Sequence, residues 1–533
     1  MKALFGKIYA FCRYAVMILC LLLSVCLFAA SFFLTSYSTD MESQKVLFRR
    51  DNLLWNLLGT AVFLAVFLLV VLGKRVKVKH FLALTLFWCC LSGVVLILFG
   101  RNGPSTDGMS IYLAAQELAQ GQTAVIDPDN SYFSYYPQQM GLVAFYELLI
   151  RFWNLLPFQV PAWHFIKCVN VLFACFIIIF QMKTVHLFWD NERIDCCYLL
   201  LVGLNLPFLM YTSFVYGEIP SFAFVAAGIY LVLRFLEPGG RIPGWRSLPG
   251  GVMCLSAAVV LRKNNLIFVI AVLIVVLLQF LKDWRPIQLL FVLVCAVCAM
   301  GSLPGVQKIY ELRSGSYLRS GVPAVAYLAM GMQDFPETRC GGWYNGFNFE
   351  VYQQASLDAD AASEISREVI RERMGDFRAN PGYAADFYCR KELSQWADGT
   401  YASRQATLAT FGGRSSFFQS LYEGELSGLF IEYGNLYQNI LYLGLLVFCV
   451  FQCRRIFRRT EKGKDENTGL TAGLPLWIGL IGVVGGFLFH TAWEANSRYI
   501  LLYSLAMLPC SAWGIYCLEK QGAALLGRFR KGN

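Results

Sequence analysis

Apolar and polar positions along this chain are segregated on the scale of whole helices. Runs of about 18 or more residues recur with almost no charge, the length at which a helix can cross a bilayer. They predict spans at roughly 14–36, 52–73, 79–100, 162–187, 194–213, 218–236, 248–261, 265–281, 286–303, 430–452, 472–489 and 498–518, twelve in all. The first run follows Lys2, Lys7 and Arg13. It is longer than the roughly 7–15 apolar residues of a secretory signal and lacks a small-residue cleavage site, so it is expected to be a retained helix. The run 140–156 is short and interrupted by Glu147 and Arg151, which predicts a helix lying on the membrane or dipping into it. Between 304 and 429 the pattern turns polar. There Ile365, Val369, Ile370 and Met374 recur at helical spacing within a stretch 359–396, which predicts a small helical cap rather than a nucleotide-binding domain of alternating strands and helices.

Basic residues then orient the chain. They cluster at Lys2–Arg13, at Lys74, Arg75, Lys77 and Lys79, at Arg234, Arg241 and Arg246, at Lys282 and Arg285, from Arg454 to Lys464, and at Lys520, Arg528, Arg530 and Lys531. With twelve crossings and 140–156 not crossing, every cluster falls on the cytoplasmic side, as the positive-inside bias requires. The opposite side then carries the loop 101–161, the turns 215–220 and 262–265, the segment 304–429 and the turn 490–499.

Composition agrees. Hydrophobic residues make up 57% and charged residues 15% of the 533 residues, against about 25% charged in a soluble chain, so the fold class is an all-α polytopic membrane protein. The net charge of +10 sits at helix ends, which gives no reason to invoke nucleic acid. Most of the 18 cysteines lie in apolar runs as small buried hydrophobes. Cys340 and Cys389, in the polar segment, are either a disulfide pair or free thiols.

The outward loops hold the candidate chemistry. Thr106-Asp107-Gly108 opens a short amphipathic stretch ending at Gly121, with the N-cap expected at Thr106 or Asp107. Asp107 is therefore either a helix cap or a general base at the membrane surface. Glu218 is a second acid, at the start of a span, where the helix dipole alone would favour it. Arg262, Lys263 and Arg498 run against the cytoplasmic bias. Gripping a phosphate would explain them, and so would snorkelling or an Arg498–Glu494 pair at i,i+4. His490 is expected to be structural. Asp127/Asp129 and Asp358/Asp360 are acid pairs too common to indicate a metal, and phosphate-loop, nucleophile-elbow and zinc-protease motifs are lacking.

Several of these residues together resemble the GT-C class of polytopic glycosyltransferases, in particular the bacterial branch related to protein O-mannosyltransferases and lipid A aminoarabinose transferases (family 39-like). The residues are Thr106-Asp107-Gly108 with Tyr112, Tyr136-Pro137-Gln138-Gln139, Tyr216-Gly217-Glu218, Glu494 with Arg498-Tyr499, and Asn380-Pro381 through Lys391 to Trp396. The resemblance covers about 79–518. It implies a two-helix extension at 1–78, a catalytic membrane module at 79–303 with its outer loop at 101–161, an extracytoplasmic helical segment at 304–429, and C-terminal helices with a basic tail at 430–533. It further implies Asp107 and Glu218 as catalytic groups, and Tyr112, Tyr136, Gln138, Arg262, Lys263, Glu494, Arg498 and Tyr499 as substrate-binding groups, with Arg498 on the carrier phosphate. The expected donor is a polyprenyl-phosphate sugar from the membrane, and the acceptor a cell-envelope polymer, lipid or protein. No cofactor is required by these residues, and a divalent cation stays open. Glu218 stands where the class more often has Asp, and the extension 1–78 lies outside the shared module. The rival readings are a transporter or lipid flippase, a scaffold for envelope assembly, and a polysaccharide polymerase or ligase.

Overall fold

A computed structural model describes residues 2–39, 45–72, 77–129, 131–237, 244–335, 340–408, 413–462 and 470–529. Of the orienting basic residues, Lys74, Arg75, Arg241, Lys464, Arg530 and Lys531 lie outside the described residues. The chain is an α-helical bundle. Ten of its described helices are long and apolar enough to cross a membrane, so this is a polytopic integral membrane protein.

Ten, rather than the expected twelve, has a local cause in each of two places. The run 194–213 is not one helix but two, Glu192–Gly203 and Leu206–Tyr211. Pro207 has no N–H to continue a helix, and Asn205 starts a new one by accepting from the Phe208 N–H at 3.1 Å. The carbonyls freed at the break are taken up by the hydroxyls of Tyr433, on Leu204 at 2.6 Å, and Tyr437, on Leu201 at 3.0 Å. The run 248–261 is a helix of only 14 residues, Leu248–Leu261. It ends where Arg262 turns extended at φ −157°. Both stretches still carry the chain from one end of the bundle to the other. Asn170 holds the Phe214 carbonyl near one end, and His186 meets Asp195 near the other.

The run 140–156 forms the helix Met140–Trp153, which buries Met140, Val143, Tyr146 and Ile150 and is not among the ten. Its Glu147 is buried, where a lone carboxylate would be costly. Arg151, Arg313 and the Tyr310 hydroxyl satisfy it. Helix Pro286–Ser314 runs past the expected boundary at 303 and supplies two of those partners.

Two helices form the centre, Glu425–Lys462 and Ser497–Phe529, which are the most buried of the ten together with Glu218–Leu236. Helix Lys2–Phe33 packs on the first of them, with Ser31 bonded to Asn439 at 2.8 Å. A two-stranded antiparallel hairpin, Leu34–Ser38 with Val46–Arg50, follows it. The hairpin docks on the polar segment through Ser36 N–H to the Ala397 carbonyl at 3.0 Å and Gln405 to the Ser38 carbonyl at 2.6 Å.

The polar segment is helical, as expected from its spacing. The predicted stretch 359–396 is broken into Ala359–Ala379 and Pro381–Trp396, because Asn380 caps the second helix through the Tyr383 N–H at 3.0 Å. Cys340 and Cys389 are both free thiols.

Candidate active site

Asp107 is aimed by unusual backbone in the residues that precede it. The chain leaves helix Val78–Phe99 and enters helix Thr106–Ala119 with Arg101 at φ 47° and Thr106 at φ 45°. The left-handed region is strained for a β-branched residue and persists only where the surroundings enforce it. The N-cap is Ser105, not Thr106 or Asp107 as expected, and its side chain makes no capping bond. Asp107 is thus one residue inside the helix, in its first turn. Its carboxylate is not used as a cap; it faces the Tyr132 side chain. Gly108 is needed for close approach, since a Cβ there would lie 2.6 Å from the Val215 carbonyl oxygen. That contact sets Asp107 beside the turn 215–218.

Glu218, first residue of helix Glu218–Leu236, is only 1% exposed. Arg262 Nη1 lies 2.5 Å and Arg498 Nε 3.6 Å from the same oxygen, Oε1. Both guanidinium groups are flanked by the rings of Tyr216 and Tyr499, at 5.5–5.6 Å from the ring centres. One carboxylate thus faces two guanidinium groups, which leaves a positive charge in excess. Glu218 Oε2 and Arg498 Nε are buried without a hydrogen-bond partner. Of the readings left open for Arg498, the ion pair with Glu494 is not formed; Arg498 meets Glu218 instead. Glu494 precedes the helix start at Ser497, so the i,i+4 spacing does not put the two on a common helical face.

Glu494 is buried on its own account. Tyr499 donates to it at 3.1 Å, and His490 Nδ1 donates to its carbonyl at 3.1 Å, which gives His490 the structural role expected of it. Burial pushes the Glu494 carboxyl up to about 7, against the opposing pull of Arg498 and the Tyr499 bond, with Asp107 adding to the rise.

These groups surround one cavity of about 740 Å³, within the range of about 300–1,000 Å³ typical of small-molecule sites. Asp107, Tyr136, Gln138, Arg262, Lys263, Glu494, Arg498 and Tyr499 all line it, with Lys263 exposed at its rim. Glu218 stands behind the lining, reached through the two arginines. Tyr112 does not reach the cavity; it is buried with its ring edge-on to Trp163 at 5.5 Å. Leu266, Ile267 and Ile270 form an apolar side, where Ile270 is 47% exposed on the flank of the bundle.

Tyr132, Tyr327, Tyr344 and Trp493 also line the cavity and were not among the expected site residues, and neither were Gln139 and Tyr216, which stood only inside the motifs of the resemblance. Tyr132 and Gln139 flank the chosen Tyr136 and Gln138, and Tyr216 and Trp493 adjoin chosen acids in their turns. Nothing local marks Tyr327 and Tyr344. They are brought in by the polar segment, where Ala495 N–H donates to the Gly342 carbonyl at 2.8 Å. The buried Lys391 completes the join by donating to the carbonyls of Gly331, Thr491 and Trp493 at 2.6, 3.0 and 2.7 Å.

Among the described residues no group of three or more His, Cys, Asp or Glu side chains is placed to hold a metal. The two acid pairs have local tasks. Asp127 accepts from the Asp129 N–H, Asp129 pairs with Arg319, and Asp358 caps helix Ala359–Ala379.

Fold and cavity define a polytopic helical membrane protein with a polar, charge-lined chamber at one end of the bundle. The chain belongs to a family described as conserved hypothetical integral membrane protein, which it matches over residues 15–512. No curated protein and no solved structure matched it.

Proposed function

We propose that the protein is a glycosyltransferase. It moves a sugar from a polyprenyl-phosphate-linked donor to a cell-envelope acceptor, on the extracytoplasmic face of the plasma membrane. The observation that carries this reading is the convergence, in one cavity, of Asp107 with the Arg262–Arg498 pair and an apolar side that breaks out onto the flank at Ile270. A lipid-linked donor needs those three things together: a base, an anion site and a path for its chain.

In the reaction the acceptor hydroxyl oxygen attacks the anomeric carbon, and the bond from that carbon to the phosphate oxygen breaks. Asp107 takes the hydroxyl proton. The departing phosphate keeps the electron pair, and its charge develops against Arg262 and Arg498, with Lys263 at the rim. Groups preset where charge appears in the transition state lower the barrier directly. A single displacement inverts the anomeric centre. Glu218 is better read as a positioning residue than as a second catalytic acid, since both arginines meet its one oxygen. The cavity carboxylates, Asp107 and Glu494, do not make up a metal site, and no step is assigned to a divalent cation.

A flippase or transporter would call for ionisable groups near mid-depth and a path through the bundle. Here the charged lining residues come from helix ends on one side. The test is release of free polyprenyl phosphate, by mass spectrometry, from proteoliposomes offered a panel of polyprenyl-phosphate sugars and envelope fractions. Asp107→Asn should abolish it in a protein that still folds; undiminished release would refute the assignment.

A further inference from the structure

The cavity has two chemically different halves. Its charged residues, Asp107, Arg262, Lys263, Glu494 and Arg498, come from the membrane helices and their turns. A second part of the wall comes from the segment after helix Pro286–Ser314, chiefly Ser320, Val322, Tyr327, Tyr344 and Asn348, and carries no formal charge. Trp493 joins it. The Tyr327 and Trp493 rings stack nearly parallel at 5.1 Å and 8°, and Phe489 stacks on Trp493 at 5.0 Å. The Tyr327 hydroxyl faces the Asn348 side chain, whose Oδ1 is buried without a hydrogen-bond partner.

This wall is pre-formed. The Gly342–Ala495 main-chain bond, the Trp343 Nε1–Ser394 bond at 2.7 Å and the three bonds of Lys391 fix it to the turn 491–496. A surface of aromatic rings edged by hydroxyl and amide groups suits a ligand with apolar C–H faces and a rim of hydroxyls. An anionic acceptor would find no cation on this wall. An extended peptide would need free main-chain groups, yet the Gly342 carbonyl is taken by the Ala495 N–H and the Gly342 N–H by the Gln333 carbonyl.

We propose that the aromatic wall is the acceptor subsite and that the acceptor is a neutral saccharide, held against the Tyr327–Trp493 stack with its hydroxyls at Tyr344 and Asn348. The inference rests on the transferase reading for the word acceptor, but binding of a neutral sugar at this wall can be measured without it.

The test uses full-length protein in lipid nanodiscs, free of sugar-based detergent, and saturation-transfer NMR. The probes are maltotriose, mannotriose and N,N′,N″-triacetylchitotriose, with a Ser/Thr-rich peptide and farnesyl phosphate run in parallel. The expected result is transfer to at least one trisaccharide, weakened about fivefold in Tyr344→Ala and in Tyr327→Leu, as loss of one aromatic contact implies. Near-UV circular dichroism verifies the fold of both variants. No transfer to any trisaccharide, transfer to the peptide alone, or transfer unchanged in both variants overturns the proposal. Farnesyl phosphate separates the two readings. Trisaccharide binding without binding of this phosphate overturns the lipid-phosphate donor and leaves the wall as a sugar site. The reverse pattern overturns the wall and leaves the donor site standing.

Discussion

Glu218→Gln separates the role the structure gives this residue from the one its position in the sequence suggested. The carboxylate is 1% exposed and meets Arg262 at 2.5 Å and Arg498 at 3.6 Å. Neutralising it raises the local charge from a net of one positive to two, in a site almost closed to solvent. Removing one member of a buried pair typically costs about 3–5 kcal/mol. Glutamine still offers Arg262 a carbonyl oxygen, so the lower half of that range, about 3–4 kcal/mol, is expected. The double variant Glu218→Gln with Arg262→Gln brings the net charge back to one. It should therefore be more stable than the sum of the two single changes predicts, with a coupling of about 2 kcal/mol. The assay is SDS-induced unfolding of the purified protein in mixed micelles, followed by near-UV circular dichroism over the four-member cycle. A loss below about 1 kcal/mol for the single variant, the scale of an exposed pair, or strict additivity in the cycle, would refute the buried clamp.

The Glu494 carboxyl stands at about 7 in the fold against 4.5 when unperturbed, so between those values the native state holds more protons than the unfolded one. Stability from this group therefore falls as pH rises through that window, by up to about 3 kcal/mol. Glu494→Gln should lack that fall, so it gains on the parent between about pH 5 and pH 8; parallel unfolding profiles would contradict the burial argument. At Gly141 an added Cβ would sit 1.9 Å from the Val260 carbonyl oxygen. Gly141→Ala should therefore destabilise by about 1–3 kcal/mol or more, as overpacking against backbone does, and equal stability would show the two helices are not in contact there. Lys391→Met strips three carbonyls of their donor; faster amide hydrogen exchange should follow at residues 331–335, 340–343 and 491–496, and unchanged exchange would show that Lys391 does not hold this join.

The membrane helices were legible because lipid imposes a length and an apolar composition that few other structures need. The break in 194–213 was written as Asn205 and Pro207, but an apolar run hides such a signal until the partner hydroxyls of Tyr433 and Tyr437 are seen. Most of the site was legible for the related reason that long helices leave few turns for polar residues to occupy. Tyr112 failed for a geometric reason: five residues after Asp107 it points about 140° away around the helix. The i,i+4 spacing of Glu494 and Arg498 misleads because a helix starts between them, at Ser497. Tyr327 and Tyr344 lie in a segment whose docking depends on contacts with residues about 150 positions further on, and no local pattern encodes that. The hairpin 34–50 lacks clean alternation and is held by distant partners at Ala397 and Gln405.

Helix Leu248–Leu261 has a consequence for the membrane itself. Its 14 residues reach about 21 Å, against a hydrocarbon core of about 30 Å. With Arg246 before it expected at one interface, Arg262, directly after it, should come to rest several ångströms below the opposite headgroups. Pairing with Glu218 offsets the cost of that depth, and a helix this short is expected to thin the bilayer beside it. Activity should therefore depend on membrane thickness: short acyl chains should relieve the mismatch at Arg262 and long ones strain the floor of the cavity, and equal activity in thin and thick bilayers would contradict this.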